Sequence, residues 1–89
     1  MAAELLTQTR EIRGIPLWLL RKYLVDAGGT AVSDHTIQAD GWQATLEQIA
    51  DFQIGSLRVG QVRLTVVGTA VPLAQLNEIL EVKLLRAGG

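Results

Sequence analysis

The chain has 89 residues, 48% of them apolar and 19% charged, with a net charge of −1. That apolar fraction on so short a chain specifies one small folded domain and argues against disorder. The charge balance removes any general attraction to nucleic acid or acidic membranes. The absence of cysteine excludes disulfide staples, thiol catalysis and cysteine-bound metals.

The opening Met1-Ala2-Ala3-Glu4-Leu5-Leu6 lacks the basic lead and long apolar core of a secretory signal. No apolar run approaches the ~20 residues that span a bilayer. The expected location is therefore cytoplasmic, with no membrane contact.

Residues Leu6 to Arg13 are polar and threonine-containing and end at Gly14; they read as an edge strand or an ordered lead-in. Proline at position 16 suits a first helical turn, where its missing N–H has no intrahelical partner. From Leu17 the spacing is helical: Leu17, Leu20, Leu24 and Ala27 share a face, with Tyr23 beside them. Gly28-Gly29 then end the element.

The middle reads as strands. Thr36–Ala39 and Trp42–Glu47 alternate, separated by Asp40-Gly41. That dipeptide between alternating runs is a hairpin signal, in which both residues are expected to tolerate positive φ. Trp42, Ala44 and Leu46 share the inward face. After Glu47 the phase shifts through Ile49 to Phe52 and Ile54, which predicts a bulge or bend. Gly55 to Gly60 reads as a connection with a little extended structure. Gln61 to Val67 is a β-branched strand with Val62, Leu64 and Val66 on one face.

Gly68 to Pro72 breaks that strand and opens a second helix near Leu73. Leu73, Leu76, Leu80 and Leu84 form its stripe, while Ile79, Val82 and Leu85 lie off it. The fold class is α+β: a two-layer sandwich of a three- or four-stranded, mainly antiparallel sheet with two helices on one face. The order is β-α-β-β-β-α if the first strand is real, a layout approaching a ferredoxin-like sandwich without its last strand.

Little in the chain supports catalysis. His35 is the only histidine, and one histidine with scattered carboxylates makes no tetrahedral metal site; Asp34-His35 reads as a surface turn. Ser33 and Ser56 sit in no strand–turn–helix elbow. Gly55 and Gly60 have phosphate-loop separation, but Gln61-Val62 stands where Lys-Ser/Thr is required. No enzyme activity, catalytic residue, metal or cofactor is expected.

Two surfaces invite a protein. Trp18 falls with Val25 away from the leucine face, on the side of Arg21, and tryptophan and arginine are enriched at interface hot spots. Ile79, Val82 and Leu85 form the second. The leading expectation is a non-enzymatic interaction module that docks on a protein partner or forms a homodimer through one of them. Arg10, Arg13, Arg21 and Lys22 read as a solvated face, so a nucleic-acid partner is not expected. A small-ligand domain, with its pocket between helix and sheet, is a further reading.

The tail supplies the alternative. Leu84-Leu85-Arg86-Ala87-Gly88-Gly89 resembles the Leu-Arg-x-Gly-Gly ending of ubiquitin-like proteins. That resemblance implies a carrier whose last glycine, Gly89, is adenylated and passes on sulfur or a protein. It also implies a β-grasp order of two strands, a helix and further strands, with a strand leading into the tail. The residues themselves read otherwise. Ala27-Gly28-Gly29 follows a helical stretch in the same way, so Gly88-Gly89 reads as a helix stop.

Overall fold

A computed structural model describes the backbone of residues 4–88, and side chains as far as Leu85. The strands are β1 (Leu6–Arg13), β2 (Thr30–Ala31), β3 (Thr36–Ala39), β4 (Trp42–Ile54) and β5 (Leu57–Gly68), and the helices are α1 (Leu17–Asp26) and α2 (Ala70–Gly88). The five strands form one antiparallel sheet in the order β1-β5-β4-β3-β2. Both helices lie on one face, as the apolar patterns require. The core joins Leu20 and Leu24 of α1 to Ile37, Ala44, Leu46, Val62, Leu64 and Val66 of the sheet, and to Leu73, Leu76 and Leu80 of α2.

The sheet has five strands where three or four were expected, and two of the strands are more complete than expected. Leu6–Arg13 is a full edge strand, paired along its length with Gln61–Gly68. Thr30–Ala31 adds a short strand at the opposite edge. Leu57–Gly60 belongs to β5, because Gly55-Ser56 is a tight turn joining Ile54 to Leu57 and not part of a longer connection. Gly55 has φ +59 and Ser56 does not take a positive φ, the sign pattern of a II′ hairpin.

The ferredoxin-like layout is also replaced. β1 and β2 lie at opposite edges, so the connection through α1 crosses the whole sheet. Five strands at ~4.8 Å spacing span about 19 Å, and a ten-residue helix of about 15 Å with short flanks bridges that distance.

The expected bulge is present. Register shifts between Ile49 and Phe52, where β4 carries one more residue than β5. At the β3–β4 turn only Gly41 takes a positive φ, +96, so Asp40 does not adopt the left-handed conformation expected of it.

The helix ends follow from local chemistry. Gly28 N–H donates to the Val25 carbonyl at 3.0 Å and Gly29 N–H to the Leu24 carbonyl at 3.1 Å. With Gly28 at φ +108, this is a Schellman stop, so Ala27-Gly28-Gly29 terminates α1 as read. The second helix starts at Ala70 rather than Leu73: Leu73 N–H donates to the Thr69 carbonyl at 3.0 Å. Pro72 falls within the first turn, where no intrahelical N–H is lost.

Trp42 is packed where three neighbours lack side chains. A Cβ on Gly29 would stand 2.4 Å from Ile37 and 2.8 Å from the Trp42 ring. A Cβ on Gly68 would stand 2.4 Å from the Gly41 carbonyl oxygen, and one on Gly41 would stand 2.5 Å from Pro72. Gly29→Ala is expected to destabilise the domain by about 1–3 kcal/mol through overpacking. Gly60→Ala, with open space around it and no positive φ, should shift stability by less than about 0.5 kcal/mol. Urea denaturation of the two variants provides the comparison.

Candidate interaction surfaces

The two helices are tied together by Lys83 of α2. Its ammonium lies 3.7 Å from the Asp26 carboxylate and 5.3 Å from the centre of the Tyr23 ring. Tyr23 and Asp26 therefore mark the side of α1 that meets α2. Trp18 and Val25 lie about 80–160° around the same helix from Tyr23 and Asp26. Trp18 is 60% exposed and Val25 41%. Between them Arg21 reaches the bend after β2, with its guanidinium 3.4 Å from the Asp34 carboxylate. The structure thus places Trp18, Arg21 and Val25 along one side of α1. Ile79 and Val82 stand on α2, also exposed, and the Tyr23–Lys83–Asp26 contact divides the two groups. They make two surfaces, not one.

A third apolar surface lies where the sequence read a connection. Beyond the Arg13–Gln61 pair, β4 and β5 continue as a two-stranded ribbon. The chain measures 52 Å along its long axis against 22 and 20 Å across. Phe52 pairs with Val59, and Ile54 with Leu57, so the four side chains share one face of the ribbon. Ile54 and Leu57 are exposed. The Arg13 guanidinium stacks on the Phe52 ring, 3.5 Å from its centre, closing the base of this strip. The signal that locates it is Gly55-Ser56 between two short apolar runs.

The sheet face opposite the helices is polar and arranged in rows. Arg63 stands between Glu11 and Glu47 on the neighbouring strands, at 3.2 and 3.1 Å. The next row is threonine throughout: Thr9, Thr65, Thr45 and Thr36 are register partners across β1, β5, β4 and β3. The bend at Val32–His35 is exposed, as the surface-turn reading has it, and the His35 carbonyl accepts a bond from Leu46 N–H at 2.7 Å. Among the described residues no three His, Asp or Glu side chains cluster as metal ligands do. No helix of the described residues is long and apolar enough to cross a membrane. Between the helices and the sheet lies a cleft of about 260 Å³, beside Trp42, Pro72 and Ile79.

A family model for archaeal MoaD-like proteins matches residues 8–89. The chain belongs to the archaeal MoaD-like family. No curated protein sequence matches it. The MoaD-like match runs through the Gly-Gly tail, so the tail falls inside the family's extent. Gly88 closes α2 as helical backbone, and Gly89 lies outside the described residues. The element leading to the tail is a helix, where the ubiquitin-like resemblance implied a strand.

The two tryptophans of this MoaD-like chain differ sharply in setting, since Trp42 is buried at 7% exposure. Trp42→Ala is expected to cost about 3–5 kcal/mol and Trp18→Ala less than about 1 kcal/mol. Acrylamide quenching should separate them, because the fluorescence left in Trp42→Phe comes from the accessible Trp18 ring.

Proposed function

We propose that the protein is a cytoplasmic, non-enzymatic docking domain of the sulfur-carrier kind that its MoaD-like family denotes. It works by binding other proteins, itself included, and not by chemistry of its own; nucleic acid and membranes are not its partners. The family match over residues 8–89 supports the carrier kind. The docking role rests on one observation, the exposed Trp18 beside Arg21 and Val25 on a helix whose other faces are occupied by the core and α2. An aromatic–arginine pair left at the surface of a small domain is the composition of an interface hot spot.

A second reading is favoured by the match extending through Gly89: the chain is itself the carrier. For this, the C-terminal carboxylate must enter an activating enzyme as extended chain. The core contacts of α2 end at Leu84, and Leu85 is 78% exposed. Unwinding the segment beyond Leu84 therefore sacrifices helical hydrogen bonds and no buried leucine.

One experiment separates the readings. The purified chain is mixed with an archaeal MoaD-activating enzyme and ATP, and binding and intact mass are measured together. Docking predicts complex formation with unchanged mass, weakened tenfold or more by Trp18→Ala, a loss of about 1.4 kcal/mol or more. A C-terminal adenylate, or a thiocarboxylate once a sulfur donor is supplied, abolished by deletion of Gly89, would move the assignment to the carrier. No complex at all would overturn the docking role.

A further inference from the structure

We infer that a second copy of this chain pairs with the free edge of β1, joining two sheets around a twofold axis at Thr9. This goes beyond the docking reading: it names a second copy of the chain as a partner, at an edge distinct from the Trp18 surface. Besides β1, the described residues leave unpaired edge at β2, at the part of β4 beyond β3, and at Leu57–Gly60 of β5, which is only four residues long and carries Arg58. β2 is two residues long, and the part of β4 beyond β3 carries Glu47, Asp51 and the bulge; short strands, charges and bulges all blunt an edge. β1 is eight residues long, paired with β5 without a register shift, and its Leu6-Thr7-Gln8-Thr9 half is uncharged.

The hydrogen-bond phase shows which groups are free. Gly14 N–H donates to the Gly60 carbonyl, continuing the β1–β5 register, and Leu46 N–H donates to the His35 carbonyl, continuing the β3–β4 register. Antiparallel pairs alternate between bonded and unbonded. Both observations therefore assign the backbone groups of Ile12, Arg10 and Gln8 to β5, and leave those of Thr7, Thr9, Glu11 and Arg13 pointing out of the sheet. A second β1 running antiparallel bonds to these alternate residues.

Charge then selects the register. Centring the axis on Arg10 sets guanidinium against guanidinium, and centring it on Glu11 sets carboxylate against carboxylate, both unfavourable for directly opposed residues. Centring on Gln8 leaves Ile12 and Arg13 without partners. Centring on Thr9 pairs every residue from Leu6 to Ile12: Thr9 meets Thr9 of the second copy, Thr7 meets Glu11, Gln8 meets Arg10 and Leu6 meets Ile12. It also continues the threonine row. That row already crosses from Thr36 through Thr45 and Thr65 to Thr9, and the twofold carries it into the second sheet. Cross-strand threonine pairs are favourable, and no other register joins the two rows.

The test is oligomeric state in the intact chain, by sedimentation and by cross-linking. The chain is expected to be a dimer at high protein concentration. Thr9→Pro removes an N–H that β1 does not use within the monomer, a change tolerated on edge strands. It should raise the dimer dissociation constant at least tenfold. Because the chain has no cysteine, Thr9→Cys supplies its single thiol. Bonded antiparallel pairs have Cα atoms about 5.5 Å apart, within disulfide reach. Thr9→Cys should therefore oxidise to a covalent dimer, while Thr45→Cys, in the same row on an inner strand, should not. A monomer at every concentration overturns the inference. So does a dimer in which Thr9→Cys cross-links no faster than Thr45→Cys. Neither result bears on binding to an activating enzyme, which fails or succeeds separately.

Discussion

The arrangement depends on how Trp42 is seated. Its ring occupies space that a side chain at Gly29 would fill, its Cα and Cβ crowd Gly68, and Pro72 lies against Gly41. These glycines belong to different parts of the chain: the stop of α1, the β3–β4 turn, and the end of β5 just before α2. Thr69 N–H completes the junction by donating to the Gly41 carbonyl at 3.1 Å. Trp42 and the glycines around it thus bring together the end of α1, the β3–β4 turn and the start of α2. Close-packed interiors transmit such constraints because few voids exist to absorb them. The two helix surfaces are held in relation to each other by the same junction and by the Tyr23–Lys83–Asp26 contact.

Membership of the archaeal MoaD-like family and the order of elements have to be held together. The sheet is antiparallel throughout, with its longest connection carrying α1 from one edge to the other, and the chain closes on a 19-residue helix. A carrier tail preceded by a strand is already extended when it meets an enzyme. A tail preceded by a helix must first exchange helical hydrogen bonds for extended chain, and each such exchange has a modest net cost. The leucines that hold α2 stop at Leu84. Among the described side chains, packing of α2 onto the core thus stops at Leu84, ahead of the glycines.

Much of the fold was legible because periodicity reports which side of an element is buried. Leu20 and Leu24, the alternation Trp42-Ala44-Leu46, the run Val62-Leu64-Val66 and the stripe Leu73-Leu76-Leu80 all mark buried faces found in the core. What escaped was local chemistry weighed too little. Gly55-Ser56 is a two-residue hairpin signal, and reading Gly55 to Gly60 as one connection hid the ribbon and its strip of Phe52, Ile54, Leu57 and Val59. β2 escaped for a different reason: two exposed residues carry no period at all.

The candidate sites divide in the same way. From the amino-acid order alone came the classes that composition forbids, the helical faces bearing Trp18, Arg21, Val25, Ile79 and Val82, and the use of Ala-Gly-Gly to stop α1. Each is a property of one element, readable from the spacing of residues along it. Tertiary structure alone decided that Arg21 is held by Asp34, that threonines from four strands form a row, and that β1 keeps an open edge. These are relations between segments far apart in the chain. They arise from strand order and register, which backbone pairing and core packing settle together and no single segment encodes.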